Sequence, residues 1–265
     1  MISLLNRKEK KLRKILKQME SVLVAFSGGT DSSLLLKIAY DIMGKKVLAV
    51  IVSSAFMSKE EVTDAGNIAE RIGAKYKVIK HDVLADKKIS RNPPQRCYFC
   101  KKQIMRKLLD IAAKYNLKHV IEGSNIDDLK QHRPGKKALL ELKVRSPLAE
   151  AGLTKPEIRR LAHKLRIANW AQPSASCLAT RFPYGTKLRE KDLKAVAIAE
   201  QVLRGMGFKQ VRVRAHGDLA RIEVEKNDIV RLLRKPTRFF MDKIKKTGFS
   251  YVCVDMEGYR AGRMD

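Results

Sequence analysis

The sequence is poor in cysteine, in aromatic residues and in acidic residues, and it lacks any long apolar run. Of its 265 residues only four are cysteine and 6% are aromatic, which excludes a small scaffold held together by disulfides. No apolar run approaches the roughly 18 residues that a membrane-spanning helix requires. The N-terminus has neither a long apolar stretch nor a small-residue cleavage site, so we expect no secretory signal. These absences predict a cytoplasmic protein without membrane segments.

The scarcity of acidic residues leaves a large positive charge. There are 28 Asp and Glu against 56 Lys and Arg, and the formal net charge is +28. Such an excess suits a nucleic-acid surface, because Lys and Arg neutralise phosphates, and it equally suits an enzyme acting on nucleotides or a strongly solvated surface. The apolar share of 45% is enough for a buried core, and the length allows one large domain or two modest ones.

Short apolar runs alternate with helical patterns over the first two thirds of the chain. The predicted strands are 21–26, 46–52, 75–83 and 119–124, and the helices between them include 58–72 and 101–115. This alternation predicts an α/β fold with a doubly wound parallel sheet. A loop rich in proline and small residues (169–188) follows, and then a helix (189–206), the strands VRVRAH and LARIEVE, a helical stretch (227–246) and the strand SYVCVD. We therefore predict two domains, 1–182 and a smaller α+β domain, 183–265.

The strongest local motif is SGGTDSS, which follows the first predicted strand and opens a helix. Its residues are Ser27, Gly28, Gly29, Thr30, Asp31, Ser32 and Ser33. Two glycines let backbone N–H groups approach an anion, the hydroxyls add donors, and the helix N-terminus supplies positive potential. The motif lacks the Gly-Lys-Ser/Thr end of a Walker A loop. It suits an enzyme that releases pyrophosphate from ATP while attaching AMP to an acceptor oxygen, with Asp31 as a Mg²⁺ ligand. A plain helix N-cap would use the same residue types.

Three cysteines form a second candidate site. Cys97 and Cys100 lie in RCYFCK just before a predicted helix, and Cys177 lies in the long loop. A CxxC pair suits a redox dithiol, a structural zinc site or an iron–sulfur cluster, and zinc would need ligands that no second pair supplies. Three thiolates can hold a [4Fe–4S] cluster with one iron open to exogenous sulfide, provided that Cys177 folds back. Lys101, directly after the pair, has two interpretations: it assists a proton transfer, or it is one more solvated lysine. Cys253 is predicted to be a buried core residue.

Longer strings of the sequence resemble known families. VLVAF followed by SGGTDSS resembles the PP-loop of the ATP pyrophosphatase superfamily. Strings typical of the LarE proteins are EGSNIDDLKQHRPG (122–135), RSPLAEAGLTKPEIR (145–159), PSASCLATRFPYG (173–185) and AEQVLRGMGFKQVRVRAHGDLARIEVE (199–225). This resemblance runs from about residue 20 to the C-terminus. It implies an ATP-dependent sulfurtransferase of nickel-pincer nucleotide cofactor biosynthesis, which adenylates a carboxylate of pyridinium-3,5-biscarboxylic acid mononucleotide and replaces the AMP with sulfur.

The resemblance also implies the source of the sulfur. In one branch of the LarE proteins the cysteine at the position of Cys177 gives up its own sulfur, and in another it joins two more cysteines to hold a [4Fe–4S] cluster that carries a labile sulfide. The presence of Cys97, Cys100 and Cys177 implies the cluster branch, with ATP, Mg²⁺ and a sulfide donor as the other requirements. The implied catalytic residues are Asp31, Lys101, Cys177 and Glu200.

The C-terminal part supplies candidate substrate contacts. Arg212 and Arg214 are two residues apart on a predicted strand, so their side chains face the same way. Paired guanidinium groups suit the phosphate of a mononucleotide, although two surface residues of a sheet would show the same spacing. The resemblance adds Arg181 to this pocket and puts Glu200 and Glu223 near the active site. We also predict Gly123, in the EGSNIDD string, as a cofactor-binding residue.

Other enzyme classes share part of this pattern. A tRNA thiolation enzyme would use the same PP-loop and cluster, with the +28 charge as its tRNA surface, but no zinc-ribbon pairs flank the loop. An amide-forming ATP pyrophosphatase would not require three cysteines, and a non-catalytic nucleotide-binding regulator would leave both motifs idle. Because known relatives assemble, we expect a homo-oligomer.

Overall fold

A computed structural model of the protein describes residues 4–130, 134–173, 176–235 and 237–260. The chain divides into two compact units. The first unit contains Met1–Ser54, Lys59–His81 and Gln95–Ser174, and the second contains Ala55–Ser58, Asp82–Pro94 and Ala175–Asp265. Within the described ranges, no helix is both long enough and apolar enough to cross a membrane.

Helices and strands alternate through most of the chain. The strands are Val22–Ala25 (β1), Val47–Ser53 (β2), Lys75–Lys80 (β3), His119–Ile121 (β4), Val211–His216 (β5), Leu219–Val224 (β6) and Tyr251–Val254 (β7). The helices are Leu4–Lys17 (α1), Thr30–Met43 (α2), Lys59–Ile72 (α3), Lys87–Ser90 (α4), Arg96–Lys114 (α5), Ile126–Lys130 (α6), Gly135–Glu141 (α7), Pro147–Glu150 (α8), Lys155–Lys164 (α9), Glu190–Gly205 (α10), Ile229–Leu233 (α11) and Thr237–Lys245 (α12). Short 3-10 turns cover Gly44–Lys46, Leu178–Arg181 and Lys226–Asp228.

The first unit is built on a parallel sheet in the order β3–β2–β1–β4. Val22 of the central strand β1 pairs with Val47 on one side and with His119 on the other. Val22, Leu23 and Val24 of β1 are buried completely, as expected for a strand covered by helices on both faces. The chain leaves β1 toward β2 and later returns to its opposite side as β4, so the loops after β1 and β4 meet at the switch point where open α/β sheets bind ligands. The predicted doubly wound α/β fold is confirmed.

The second unit contains a smaller mixed sheet in the order β5–β6–β7. The β5–β6 hairpin is antiparallel, with Arg212 opposite Glu223, and β7 runs parallel to β6. Buried Val211 and Val213 alternate with the two arginines of β5. The smaller α+β part of the predicted fold is therefore present.

Three local predictions need correction. The helix that the sequence predicts after the CxxC pair begins already at Arg96. Cys97 and Cys100 therefore lie on this helix rather than before it. The helical stretch predicted at 227–246 is divided into a 3-10 turn and the helices α11 and α12, because Pro236, which lies outside the described residues, cannot continue a helix. Cys253 on β7 is half-buried rather than a core residue.

The second unit draws on more of the chain than its C-terminal third. Asn92, from the Asp82–Pro94 segment, donates through Nδ2 to the carbonyl oxygen of Pro183 at 2.8 Å. The amide of Leu188 donates to the Ser90 carbonyl oxygen at 2.7 Å. These bonds tie the early segment to residues that follow the long loop. The division into folding domains at 182/183 stays a prediction.

Candidate active site

The glycine-rich loop joins β1 to α2, as its sequence predicts. Gly28 has a φ of +72°, a conformation that glycine adopts without steric cost. A Cβ atom on Gly28 would lie 2.7 Å from the Cβ of Ala65 on α3. The loop backbone therefore passes so close to α3 that any side chain at this position would clash.

Hydroxyl groups of the motif hold the loop in shape. The Ser27 and Ser32 Oγ atoms are 3.2 Å apart, and Ser32 Oγ donates to the Gly29 carbonyl oxygen at 3.0 Å. Ser27 is exposed, whereas Thr30, Ser32 and Ser33 are buried. The site thus opens at the start of the loop, at the N-terminus of α2, where an anion is favoured.

Asn169, which the sequence does not indicate as a site residue, forms hydrogen bonds with the glycine-rich loop. Its Nδ2 donates to the Gly28 carbonyl oxygen at 2.6 Å and lies 3.2 Å from Ser33 Oγ. The main-chain carbonyl oxygen of Asn169 accepts from Thr30 Oγ1 at 2.8 Å. Nothing in the sequence around Asn169 indicates this contact, since it joins residues about 140 positions apart.

Asp31 lies in the first turn of α2 and pairs with a lysine from α9. Lys155 Nζ is 2.7 Å from each carboxylate oxygen of Asp31, and Asn125 Nδ2 is 3.4 Å from Oδ2. Burial raises the pKa of Asp31, and the neighbouring Lys155 charge opposes that rise only in part. Sequence reasoning predicted Asp31 but neither of its partners.

Gly123 follows β4 and approaches the same helix end. A Cβ atom on Gly123 would lie 3.0 Å from the backbone nitrogen of Ser32. The structure therefore brings Gly123 against the glycine-rich motif, across the switch point between β1 and β4. A larger residue here would press on the first turn of α2.

Lys101 is paired rather than simply solvated. Its Nζ lies 3.1 Å from Oε2 of Glu122, a buried carboxylate that also accepts from Ser146 Oγ at 2.6 Å and from Ser124 Oγ at 2.9 Å. Burial raises the pKa of Glu122, but the Lys101 charge and the serine hydrogen bonds outweigh it and leave the pKa below its ordinary value. An acid at the carboxyl end of β4, the strand beside β1, was the signal that could have found Glu122.

The CxxC pair lies on α5, directly before Lys101. Cys97 and Cys100 are three residues apart, so they share a face of the helix. Both side chains are half-buried, and neither is part of a disulfide. Arg96 is buried, and its Nη2 lies 3.5 Å from Cys97 Sγ. The pair thus presents two thiols beside a fixed guanidinium group.

Cys177 belongs to the second unit, where its thiol is exposed and is not part of a disulfide. It precedes the 3-10 turn Leu178–Arg181, and its carbonyl oxygen accepts from the Thr180 hydroxyl at 2.8 Å and from Arg181 Nη1 at 3.1 Å. We call residues 176–181 the Cys177 turn. In the part of the chain that the structure describes, no three His, Cys, Asp or Glu side chains gather in a group that could hold a metal ion.

A buried ion pair supports the Cys177 turn. Arg181 Nε lies 2.7 Å from Glu200 Oε1 and its Nη2 lies 3.1 Å from Oε2. Glu200 also accepts from Arg204 Nη2 at 2.6 Å and from the Val213 amide at 3.2 Å. Burial raises the pKa of Glu200, but the charge of Arg181 and its hydrogen bond lead the effects that hold this pKa below its ordinary value. Glu200 therefore remains a carboxylate that positions the turn.

The two predicted arginines of β5 are both buried but have different partners. Arg214 Nε donates to Glu223 Oε2 at 3.0 Å, and its Nη1 donates to the Thr180 carbonyl oxygen at 2.8 Å. Arg212 donates to the Val211 carbonyl oxygen at 2.7 Å and lies over the ring of Tyr259. Burial, with the nearby charge of Arg181, lowers the pKa of Arg212 to about 10. In the strand register Glu223 lies opposite Arg212. Hydrogen bonds and nearby charges connect the predicted residues into one network, whose members are Arg181, Glu200, Arg212, Arg214 and Glu223.

The fold and the loop of the first unit define a class of protein, the PP-loop ATP pyrophosphatases. Residues 4–116, which include the loop, match the NAD synthase family. This match covers less than half of the chain, so it describes the nucleotide-binding part alone.

Comparison over the whole chain is more specific. A pyridinium-3,5-bisthiocarboxylic acid mononucleotide synthase of Lactiplantibacillus plantarum is 40% identical over 94% of this chain and 91% of its own length. An uncharacterized protein of Synechocystis sp. is 36% identical over 99% of this chain and 98% of its own. Another from Methanocaldococcus jannaschii is 34% identical, over 91% and 92%. The chain belongs to the LarE family, that of the L. plantarum synthase, and is an ATP-dependent sulfurtransferase.

Proposed function

We propose that the protein converts pyridinium-3,5-biscarboxylic acid mononucleotide to its thiocarboxylate, with ATP as the activating substrate and sulfide as the sulfur source. The observation that carries this proposal is whole-length similarity to the L. plantarum synthase, together with the presence of three cysteines outside any disulfide, Cys97, Cys100 and Cys177. The cysteines distinguish the reaction from amide formation, which needs no thiol.

The first step is adenylation at the glycine-rich loop. A carboxylate oxygen of the acceptor attacks the α-phosphorus of ATP, and pyrophosphate leaves with the electron pair of the broken phosphorus–oxygen bond. Backbone N–H groups at Gly28 and Gly29 and the N-terminus of α2 would hold the phosphates. Asp31 would hold the Mg²⁺ that accompanies them, because a carboxylate oxygen is a ligand that this ion prefers.

The second step replaces AMP with sulfur. Sulfide attacks the acyl carbon of the adenylate, and AMP leaves with the electron pair of the carbon–oxygen bond. Cys97, Cys100 and Cys177 are not part of disulfides, and three thiolates are a donor set suited to a [4Fe–4S] cluster. Such a cluster would supply an open iron that binds the sulfide. Lys101, held by Glu122, is suited to a proton transfer near the CxxC pair.

The arginine network of the second unit is the proposed substrate side. We propose that Arg181, Arg212 and Arg214 create positive potential for the phosphate of the mononucleotide. Most of the donors of Arg181 and Arg214 point at protein oxygens, so these two would act chiefly by positioning the Cys177 turn. A homo-oligomeric state and a cytoplasmic location stay predictions.

The test is iron and acid-labile sulfide per chain in protein purified without oxygen. We expect about four irons and a broad absorption near roughly 400 nm in the parent protein. Cys97→Ala should lose them, and Cys253→Ala is the matched control because that cysteine lies outside the proposed set. Sulfide-dependent turnover should then occur on the pyridinium mononucleotide and not on bulk tRNA.

Other results would overturn parts of the proposal. If Cys97→Ala keeps its iron and its turnover, the cluster assignment is wrong. If the parent binds no iron and Cys177 becomes lighter by the mass of hydrogen sulfide after one turnover, Cys177 is itself the sulfur source. Thiolation of tRNA instead of the mononucleotide would replace the substrate.

A further inference from the structure

The positive charge of the chain is larger than the proposed reaction requires. The formal net charge is +28, whereas the proposed acceptor is a mononucleotide with a single phosphate. A dense part of this charge lies in α1, whose sequence LLNRKEKKLRKILK contains seven basic residues and one acidic residue. Adenylation and sulfur transfer leave the charge of α1 without a role.

Helix α1 has one buried face and one basic face. Leu12 and Leu16 are buried completely, so they direct one side of the helix into the protein. Five exposed residues, spaced three, four and seven positions apart, share the opposite side because a helix has 3.6 residues per turn. We call them the α1 basic face: Arg7, Lys10, Lys11, Lys14 and Lys17.

The α1 basic face has no acidic partners, unlike the basic residues at its margins. Lys8 Nζ lies 2.7 Å from Glu157 Oε2, and Arg13 Nη2 lies 2.9 Å from Glu9 Oε1. Between residues that the structure describes, no ion pair includes a member of the α1 basic face. Like charges three or four positions apart destabilise a helix. The stability of α1 therefore does not explain this face, and a surface that served solubility alone would mix both signs.

The density of charge on this face is close to that of a nucleic-acid strand. The face extends over about 15 Å of helix and carries one positive charge about every 4 Å, against one phosphate per roughly 3.4 Å along each strand of DNA. Every exposed residue from Arg7 to Lys17 is basic, so the face offers no aromatic group on which a base could stack. Contacts would be made to phosphates, which carry no sequence information.

The buried face of α1 argues against a lipid surface as the partner. A helix that lies on a membrane inserts its apolar side between the lipids. The apolar side of α1, with Leu12 and Leu16, is enclosed in the protein. Only the charged side is available to a partner, and a partner recognised by charge alone must be a dense polyanion.

We propose that the α1 basic face binds the phosphodiester backbone of a nucleic acid without sequence preference. The nucleic acid is a ligand at this face and not the acceptor of sulfur, so the inference goes beyond the proposed function and does not depend on it. Bound phosphates would replace the repulsion between the five cations with attraction. The released counter-ions would make the affinity fall steeply with salt.

The experiment is fluorescence anisotropy with two labelled probes of about 20 nucleotides, a single-stranded RNA and a DNA duplex, each at about 50 to 200 mM NaCl. The full chain is purified without oxygen. Lys10→Gln combined with Lys14→Gln should weaken binding of the RNA by about 10- to 100-fold at the lowest salt. The slope of log affinity against log salt should fall by about 1.4, because each lost phosphate contact contributes about 0.7 on a single strand.

Lys107→Gln combined with Lys114→Gln is the matched control. These lysines are also exposed and seven positions apart, but they lie on α5, and their replacement changes the net charge by the same amount. This protein should bind within about twofold of the parent and keep its salt slope. Arg7→Gln combined with Lys17→Gln covers the case that the first double variant fails to fold, and it should weaken binding in the same way. Glutamine favours helix formation, so all three proteins should keep the circular dichroism and the turnover of the parent.

Several results would overturn the proposal. Equal losses in the α1 and α5 proteins would show that binding follows the net charge of the whole chain. Absence of binding to both probes at low salt removes the ligand. Vesicles of phosphatidylglycerol and phosphatidylcholine in equal parts, and polyglutamate, test the other polyanions. If either binds the parent as tightly as the RNA does and the α1 variants lose that binding, the partner is a lipid surface or an acidic protein. Tighter binding of the RNA or of the duplex, lost in the α1 variants alone, supports the proposal and identifies the form of nucleic acid.

Discussion

Two ion-paired regions of the protein differ in how far their charged side chains are exposed to solvent. In the first unit, the Lys155 and Asp31 side chains are 25% and 21% exposed and each is held mainly by the other. In the second unit, the side chains of Arg181 and Glu200 are 2% and 1% exposed, and those of Arg214 and Glu223 are 5% and 0% exposed. One region keeps its charges within reach of a ligand, whereas the other encloses them.

Burial gives the second region a mainly positional role. Removing a charge from water costs several kcal/mol per ion, and that cost is recovered only where the geometry is good and further hydrogen bonds are made. Arg181 and Arg214 meet this condition by donating to the backbone of the Cys177 turn as well as to Glu200 and Glu223. The enclosed pairs thus fix the backbone around the exposed thiol of Cys177, whereas the pair of Lys155 and Asp31 stays accessible to solvent.

The largest expected effect follows from breaking an enclosed pair. Arg181→Met leaves Glu200 buried and short of a partner, so we expect the free energy of unfolding to fall by about 3–5 kcal/mol. Arg204→Met is the control, since Arg204 contacts the same carboxylate but its side chain is 40% exposed. That change should lower the free energy by at most about 1 kcal/mol. Urea unfolding followed by circular dichroism measures both, and equal losses would remove the contrast between enclosed and open charges.

The next effect concerns the backbone of the open region. Gly28→Ala combines a positive φ with a Cβ placed 2.7 Å from Ala65 Cβ, so we expect a loss of about 2–4 kcal/mol and a loss of nucleotide binding. Gly152→Ala is matched, because Gly152 has a φ of +75° and no atom within 4 Å of an added Cβ. It should cost about 1–2 kcal/mol. If the two variants are equally stable, the close approach to α3 does not shape the loop.

Much of the fold could be predicted because its information is local. The short apolar run before SGGTDSS forms β1, and Thr154 with Glu157, three positions later, forms a capping box. Element ends were less predictable. Strand β3 stops at Lys80 rather than at residue 83, and α5 begins at Arg96, since tertiary contacts decide where pairing and helix formation stop.

The site was predictable only where its residues share a motif. SGGTDSS and the CxxC pair each lie within a few positions, so their chemistry could be inferred together. Lys155 lies 124 positions from Asp31, and its own surroundings, TKPEIR, indicate only a helix start. Partners that the fold brings from distant segments leave no local signal, and the same holds for Asn169.

The smallest effect tests whether the first unit also encloses a charge. Glu122 is 7% exposed and pairs with Lys101, so Glu122→Gln should lower the free energy of unfolding by about 1–3 kcal/mol near pH 7. The folded pKa of Glu122 lies below its ordinary value of 4.5. Its contribution is therefore complete above pH 4.5 and is lost as the pH falls through the folded pKa. Parent and variant should converge in acid when urea unfolding is repeated at decreasing pH.

Glu141→Gln is the control for that series, because Glu141 also pairs with a lysine of α5, Lys102, but at an exposed position. It should differ little from the parent at any pH. If Glu122→Gln shows the larger loss and the convergence, the enclosed pair of Lys101 and Glu122 stabilises the same unit that holds the more exposed pair of Lys155 and Asp31. The contrast would then depend on the burial of each pair, and not on which unit holds it. If the Glu122→Gln and Glu141→Gln proteins have the same free energy of unfolding, only the second unit contains enclosed charges that contribute to stability.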